Sequence, residues 1–355
     1  MKAAVLYNYN EPLRIEDVSV PRPSGNEVLV KVYGSGVCHS DLHIIKGEFV
    51  DELPVTLPFI LGHEVSGVVA EVGDEASQYI SVGVETLVYS FYCMERDKYM
   101  VKGLDQICGL RTPAGVIMFN GGYAEYILVP HYRYLIDVSG IKDLVSAAIL
   151  SDAGLTAYRA VKKASQYLDP DEYILIVGLG GTGLFGLEVV RKLLPNPVVA
   201  VDINPVKISY AREAFNIRED YDYLIDASKV DPRREIISLL GGEQPKAVID
   251  FVGIEATLSA YLDLVSPAGV YVLVGLGNKF GPAIPIHKMV INEITLTTVL
   301  YGSINDLYEL AMLGKKGVIE YWKLVEKIGL EDINTAFKRL ETGKALKRQV
   351  ISFVD

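Results

Sequence analysis

Short apolar runs separated by glycine and proline fill the first part of the chain. The runs are rich in valine, isoleucine and tyrosine, which favour strands. We predict strands at residues 28–33, 65–72, 85–89 and 123–129. Residues 1 to about 135 should therefore form a barrel-like, β-rich region.

The pattern changes at residue 173, where buried strands begin to alternate with helices. Apolar runs predict strands at 173–177, 198–201, 223–225, 247–252 and 269–274. Helical spacing predicts helices at 142–168, 184–194, 205–215, 232–240 and 254–265, and a mostly helical tail from 301 with a last strand at 349–354. The alternation is typical of a doubly wound parallel sheet, so the fold class is α/β with a β-rich domain.

A glycine-rich turn joins the strand at 173–177 to its helix. Gly178 permits the tight turn, Gly180 lets a pyrophosphate approach the backbone, and Gly183 lets helix and strand pack closely. Gly181 belongs to the same turn, and the free N–H groups at the helix start attract phosphates. Strand, turn, helix and second strand in this order predict a dinucleotide site, with an ordinary α/β turn as the alternative.

The second strand of this motif ends at Asp202. It follows Gly183 by about 20 residues, the spacing of the acid that binds a ribose 2′-hydroxyl in dinucleotide sites. The Asp202 carboxylate would repel a 2′-phosphate, and Ile203 supplies no positive charge to offset that repulsion. We therefore predict NAD rather than NADP as the cofactor.

Composition and charge narrow the functional classes. The length of 355 residues suggests two domains, and a formal net charge of −11 argues against binding to nucleic acid or an anionic membrane. No apolar run approaches the ~18 residues of a membrane span. Three cysteines are too few for a disulfide scaffold, and the first residues lack the apolar core of a signal peptide. We expect a cytoplasmic protein.

Two short stretches concentrate histidine, cysteine and carboxylate. Cys38 opens one stretch, which also contains His39, Ser40 and His43; His63 and Glu64 form the other. Cysteine, histidine and carboxylate suit zinc, and a catalytic zinc needs three protein ligands and one open position. Spacing alone leaves open whether Cys38 and His63 share a metal or are structural residues.

The whole pattern resembles the zinc-dependent medium-chain alcohol dehydrogenases. The resemblance rests on the glycine turn and on Gly36-Val37-Cys38-His39-Ser40-Asp41, Gly62-His63-Glu64-Val65-Ser66-Gly67 and Gly121-Gly122-Tyr123-Ala124-Glu125-Tyr126. It implies a GroES-like catalytic domain at 1–153, completed by 301–355, and a Rossmann domain at 154–300. It also implies a catalytic zinc.

The resemblance assigns the metal ligands. Cys38 and His63 match two of them, and Glu64 matches a neighbouring carboxylate that can approach the metal. The third position usually holds cysteine, but here it holds Asp152, as in some archaeal and bacterial members. An aspartate oxygen is a competent zinc ligand. We therefore expect one catalytic zinc per chain.

Further roles follow from the same resemblance. Ser40 and His43 match a relay that carries the substrate proton to solvent, and Asp41 matches an acid that orients His63. Matches to cofactor contacts are His39 at the pyrophosphate, Lys207 at the adenosine ribose, Thr156 near the nicotinamide, and Arg348, a tail arginine that reaches the cofactor. A surface histidine and a solvated charge are the alternatives for His43 and Arg348.

Many relatives also hold a structural zinc with four cysteines. Here the corresponding positions are Met94, Asp97, Met100 and Cys108. One thiolate and one carboxylate do not make a closed tetrahedral site, so we expect no structural zinc. A disulfide between Cys93 and Cys108 is the less favoured alternative for a cytoplasmic protein, and we expect both to be free thiols.

These expectations define an NAD-dependent zinc alcohol dehydrogenase acting on small primary or secondary alcohols and their aldehydes or ketones. A polyol or sugar dehydrogenase of the same superfamily is the main alternative. A zinc-free quinone reductase and a non-catalytic nucleotide-binding protein are the others. We expect a homo-oligomer, tetramer or dimer, in which the apolar run 294–301 extends the sheet, and no nucleic-acid or membrane partner.

Overall fold

The computed structural model describes residues 1–48, 50, 55–277 and 281–354. The chain divides into two compact units. The discontinuous unit comprises Met1–Leu155 and Gly302–Asp355, and the central unit comprises Thr156–Tyr301. No helix within the described residues is long and apolar enough to cross a membrane.

The first segment of the discontinuous unit is rich in short strands. Its strands are β1 (Lys2–Leu6), β2 (Arg14–Asp17), β3 (Val28–Gly36), β4 (Phe59–Ile60), β5 (Glu64–Val72), β6 (Glu85–Val88), β7 (Phe91–Cys93), β8 (Arg111–Pro113), β9 (Tyr126–Val129) and β10 (Leu135–Asp137). Its helices are α1 (His39–Ile45), α2 (Lys98–Val101) and α3 (Leu144–Ala147), and α4 (Ala153–Ala164) begins in it and continues into the central unit.

The central unit is a doubly wound parallel sheet, as the sequence predicts. Its strands are β11 (Ile174–Val177), β12 (Val198–Asp202), β13 (Tyr223–Asp226), β14 (Ala247–Asp250), β15 (Val270–Leu273) and β16 (Thr295–Thr298). Its helices are α5 (Gly181–Leu193), α6 (Pro205–Ala214), α7 (Pro232–Leu239), α8 (Glu255–Tyr261) and α9 (Ile286–Ile291). The strands lie in the order β13-β12-β11-β14-β15-β16, and each neighbouring pair is parallel.

The chain then returns to complete the discontinuous unit. The returning elements are α10 (Ile304–Lys315), β17 (Val325–Ile328), α11 (Ile333–Glu341) and β18 (Arg348–Ser352). Strand β18 pairs antiparallel with β3 in a seven-stranded sheet ordered β10-β6-β5-β3-β18-β17, with β9 also on β3. The final strand therefore reaches the same sheet that carries the cysteine and histidine stretches.

The prediction of one helix over 142–168 is wrong at its centre. Helix α3 passes into a 3-10 turn at Ala148–Ser151, and Asp152 then has φ −140° and ψ −71° before α4 begins. Every residue at 144–151 is buried, so no alternation of apolar and polar positions marks the interruption in the sequence. The interruption directs Asp152 away from a regular helix face.

The prediction that Cys93 and Cys108 are free thiols is also wrong. They form a disulfide whose Cα atoms are 6.1 Å apart. Strand β7 pairs with β8, and a 3-10 turn ending at Ile107 brings Cys108 back to β7. The prediction relied on compartment, whereas the local fold determines which thiols meet. The disulfide also removes the support that the cysteine count gave to a cytoplasmic location.

Candidate active site

Three potential metal ligands from distant segments meet in the discontinuous unit. Cys38 precedes α1, His63 precedes β5, and Asp152 lies at the interruption before α4. One donor atom from each lies within 4.8 Å of the other two. Asp152 Oδ2 is 3.5 Å from Cys38 Sγ and 3.3 Å from His63 Nε2. A thiolate, an imidazole and a carboxylate at this spacing fit a zinc ion with one open position.

Asp41 connects two of these ligands. Its Oδ2 accepts the backbone N–H of Cys38 at 3.1 Å, and its Oδ1 is 3.2 Å from His63 Nδ1. Asp41 is fully buried. Its carboxylate therefore holds the His63 ring with Nε2 facing Asp152, the orientation in which Nε2 can bind a metal.

The carboxylates of the cluster favour the binding of a proton or a metal cation among them. Burial alone would lower the pKa of His63, but the carboxylates of Asp41 and Asp152 raise that pKa well above its usual value. Burial would raise the pKa of Asp152, but the hydrogen bond and charge of His63 hold it below its usual range. Where only protons are available, a proton on His63 balances the negative charge of the Asp41 and Asp152 carboxylates. A divalent cation between the same three atoms would balance it better.

A buried ion pair lies beside the ligands. The Arg348 guanidinium donates to both oxygens of Glu64, at 2.9 and 2.5 Å, and Nη2 is 3.4 Å from Asp152 Oδ2. The Ala153 N–H also donates to Glu64 at 2.9 Å. Burial raises the pKa of Glu64 to about 7, against the opposing charge of Arg348. Gly36 makes this packing feasible, because a Cβ there would lie 1.7 Å from Glu64 Oε2.

Arg348 and Glu64, for which the sequence predicts separate roles, thus form one ion pair. Arg348 is 6% exposed, so the solvated-charge alternative is wrong. Its guanidinium balances two carboxylates that would otherwise repel one another. The predicted contact of Arg348 with the cofactor stays a prediction.

Helix α1 carries the predicted proton-relay residues. Ser40 Oγ is 3.0 Å from Cys38 Sγ and 3.3 Å from His63 Nε2, so the hydroxyl lies at the metal-ligand cluster. His43 is further along α1 and hydrogen-bonds Glu48. The His39 and His43 rings lie 5.3 Å apart, and burial followed by the charge of His43 lowers the pKa of His39.

Sequence reasoning missed one residue of this site. The Tyr123 hydroxyl donates to Asp41 Oδ2 at 2.6 Å, and the side chain is fully buried. The signal was present, because Tyr123 lies in the glycine-tyrosine motif that carries the family resemblance. The strand predicted at 123–129 includes this residue, but β9 begins only at Tyr126.

The glycine turn of the central unit has the geometry of a phosphate site. Gly178 has φ +86°, which favours glycine, and Gly180 precedes the first residue of α5. A Cβ at Gly183 would lie 1.9 Å from the carbonyl oxygen of Gly178, whereas a Cβ at Gly180 would meet nothing within 4 Å. The turn packs tightly on its helix and leaves the Gly180 backbone accessible to a ligand.

Asp202 follows this turn on the neighbouring strand. Its Oδ2 accepts the N–H of Leu179 at 2.6 Å, its Oδ1 accepts that of Asn204 at 2.7 Å, and Lys207 Nζ is 4.0 Å from Oδ2. The carboxylate is therefore fixed by the backbone. Thr156 also belongs to the central unit, in α4.

Comparison with known proteins places both units in one family. The alcohol dehydrogenase GroES-like domain matches residues 24–140, and the zinc-binding dehydrogenase domain matches 181–315. An NAD-dependent alcohol dehydrogenase of Sulfurisphaera tokodaii is 36% identical over 99% of both chains. A D-arabinose 1-dehydrogenase (NADP(+)) of Saccharolobus solfataricus is 33% identical over 99% of this chain and 97% of its own. The crystal structure of the Aeropyrum pernix alcohol dehydrogenase has a TM-score of 0.90 at 32% identity, covering 99% of this chain and all of its own.

Proposed function

The chain belongs to the zinc-dependent medium-chain alcohol dehydrogenases, and on that premise we propose that it interconverts primary or secondary alcohols and their carbonyl compounds with NAD. The observation that carries the proposal is the convergence of Cys38, His63 and Asp152 within 4.8 Å. A non-catalytic nucleotide-binding protein would have no need to maintain this ligand set beside a buried Arg348–Glu64 pair. The zinc-free reductase alternative is disfavoured for the same reason.

Cys38, His63 and Asp152 would hold the zinc. When bound, zinc supplies a Lewis acid that makes an alcohol hydroxyl more acidic. Asp41 keeps the His63 ring oriented, and Arg348 neutralises Glu64 so that this second carboxylate need not compete for the metal. The chain's own residues would thus supply three ligands, and the substrate oxygen could bind as a fourth.

The proton of the substrate hydroxyl needs an acceptor within the site. Ser40 Oγ lies at the ligand cluster and can accept that proton while passing on its own. His43, one turn further along α1 and partly exposed, can release a proton to solvent. We propose Ser40 and His43 as the two ends of the relay.

The nicotinamide cofactor would bind through the central unit. The N–H groups at the start of α5 and the accessible Gly180 backbone suit a pyrophosphate. The fixed Asp202 carboxylate suits the two hydroxyls of an unphosphorylated adenosine ribose and disfavours a 2′-phosphate. These contacts support NAD, with Lys207 and Thr156 as further proposed contacts.

Sugar or polyol oxidation is the second candidate. The observation in its favour is the D-arabinose dehydrogenase relative, which is nearly as similar as the alcohol dehydrogenase relatives. That relative is named for NADP, whereas Asp202 here favours NAD. Steady-state assays of simple alcohols, diols and aldoses with each cofactor, with and without a chelator, separate the two. The alcohol proposal expects the highest kcat/KM for a simple alcohol with NAD and loss of activity with chelator; an aldose preference would overturn it.

We also propose a homo-oligomer. Helix α9 exposes Ile286, Val290 and Ile291, each at least 66% accessible, and the neighbouring β16 lies at an edge of the central sheet. An apolar surface beside an open strand edge suits a second copy of the chain. Light scattering after gel filtration tests this, with a monomer as the contrary result.

One zinc per chain completes the proposal. In the segment where relatives hold a second zinc, Asp97 accepts three backbone N–H groups from Tyr99, Met100 and Gly109. These hydrogen bonds and the neighbouring disulfide support the proposal that the segment needs no second zinc. Metal analysis tests the stoichiometry.

A further inference from the structure

Tyr123 lies behind the metal-ligand cluster and has no part in the mechanism proposed so far. Its side chain is fully buried, and its hydroxyl is 2.6 Å from Asp41 Oδ2 and 3.3 Å from the carbonyl oxygen of Gly36. A phenol has one proton to donate, and the shorter contact is to a charged acceptor. The bond from Tyr123 therefore goes to Asp41.

Asp41 is the point at which this bond can affect the ligands. Its other partners are the N–H of Cys38 and the Nδ1 atom of His63. A buried carboxylate keeps one orientation only when hydrogen bonds fix both oxygens. Of the groups around Oδ2, the Tyr123 hydroxyl makes the shortest contact, so it contributes most to that orientation.

The backbone before His63 is shaped around the same tyrosine ring. Gly62 has φ +99°, and a Cβ there would lie 2.6 Å from Tyr123 Cδ1. The Tyr123 N–H donates to the carbonyl oxygen of Leu61 at 3.0 Å. The ring thus supports the turn that presents His63, while its hydroxyl supports the carboxylate that orients the His63 imidazole.

We propose that Tyr123 is a positioning residue for the metal, acting through Asp41 on His63 and Cys38. This rests on the proposed function, because it needs the three-ligand zinc site. It explains in physical terms why the cysteine, glycine-histidine and glycine-tyrosine motifs occur together. Without the hydroxyl, Asp41 Oδ2 loses its shortest hydrogen bond, the His63 ring is held less firmly, and the metal binds more weakly.

The test compares Tyr123→Phe with Tyr271→Phe. Tyr271 is an equally buried tyrosine in the central unit, and its hydroxyl donates to the buried Asp250 at 2.8 Å. Each substitution removes one phenol–carboxylate hydrogen bond and keeps the ring. The metal-free full-length proteins are titrated with Zn²⁺ and Co²⁺ in competition with a chelator of known affinity.

We expect Tyr123→Phe to raise the metal dissociation constant about 10-fold, the low end of the range for groups that orient ligands. Tyr271→Phe should leave it unchanged. The visible spectrum of bound Co²⁺, which reports ligand geometry, should change only in Tyr123→Phe. Unchanged affinity in Tyr123→Phe, or an equal loss in both variants, would overturn the inference.

A double-mutant cycle tests the route through Asp41. In an Asp41→Asn background, Tyr123→Phe should weaken metal binding no further, because its target is already altered. Fully additive losses would exclude Asp41 as the intermediary. Wild-type protein that binds neither metal would instead refute the proposed function, so the two failures are distinguishable.

Discussion

The metal-ligand cluster and the glycine turn are both polar sites, but they are assembled in opposite ways. The turn is local: a run of glycines presents backbone N–H groups, and one aspartate on the next strand accepts the N–H of Leu179. The cluster draws single side chains from four distant segments, those of Cys38, His63, Asp152 and Arg348. The turn depends on backbone conformation, whereas the cluster depends on side chains that balance one another's charge. Substitutions should therefore have different consequences in the two sites.

The largest expected effect is a loss of turnover caused by a substitution in the metal-ligand cluster. Asp152→Ala removes one of three ligands, so turnover should fall by more than about 100-fold, beyond the range for groups that only orient ligands. NAD binding should persist, because the turn lies in other segments. Activity assays and cofactor fluorescence titration measure the two quantities. Asp152→Cys, which restores the commoner ligand, is the control and should keep metal. Undiminished turnover in Asp152→Ala would remove Asp152 from the site.

A second buried cluster, in the central unit, consists of one carboxylate and two guanidinium groups. Asp222 pairs with Arg191 at 2.9 Å and with Arg218 at 3.1 Å. Burial would raise the pKa of Asp222, but the hydrogen bonds and charge of the two arginines hold it below its usual range. Asp222→Asn leaves buried Arg191 without its carboxylate, so the free energy of unfolding should fall by about 3–5 kcal/mol at pH 7.

The pH dependence of that loss has a definite sign. A carboxyl group whose pKa is lowered by folding stabilises the protein above its unfolded pKa, and loses this effect as the pH falls through the folded pKa. The difference in free energy of unfolding between the wild type and Asp222→Asn should therefore shrink below about pH 4. Urea unfolding at several pH values measures it. Glu326→Gln, which breaks an exposed pair with Arg339, is the control and should cost less than about 1 kcal/mol. A pH-independent difference would contradict the account.

The disulfide between Cys93 and Cys108 should stabilise the folded protein. Cys93 and Cys108 are 15 residues apart, and a link of that span stabilises a protein by about 3 kcal/mol. Reductant should lower the free energy of unfolding by that amount. Cys93→Ser/Cys108→Ser should show the same loss and no further response to reductant. Identical unfolding curves with and without reductant would mean that the bond does not form.

The smallest expected effect concerns cofactor choice at the turn. Asp202→Asn removes the carboxylate charge but keeps the side-chain shape, so discrimination against NADP should fall by about 10-fold, or ~1.4 kcal/mol. The ratio of kcat/KM values for NAD and NADP measures it. Lys207→Gln is a useful companion, since Lys207 lies 4.0 Å from the same carboxylate. An unaltered ratio in Asp202→Asn would mean that another group sets the preference.

The same contrast explains which features could be predicted from sequence. The glycine turn is contiguous, so its strand, turn and helix could be predicted from adjacent residues. The alternation of strands and helices likewise predicts that the strands of the central sheet are parallel. Asp152 could be assigned only through family resemblance, because the uniformly buried residues 144–151 give no sequence signal of the interruption that places it. The Tyr123–Asp41 bond and the Arg348–Glu64 pair join residues 82 and 284 positions apart, and no local pattern predicts such contacts. The Cys93–Cys108 bond was missed because compartment, not geometry, guided the prediction.

X-ray absorption at the zinc edge, with zinc content measured on the same sample, tests the central claim most directly. The account predicts one zinc per chain, coordinated by one sulfur at about 2.3 Å and by nitrogen and oxygen at about 2.0–2.2 Å, with the spectrum lost in Asp152→Ala. A fully active enzyme without zinc, or a zinc bound by several sulfurs, would contradict it.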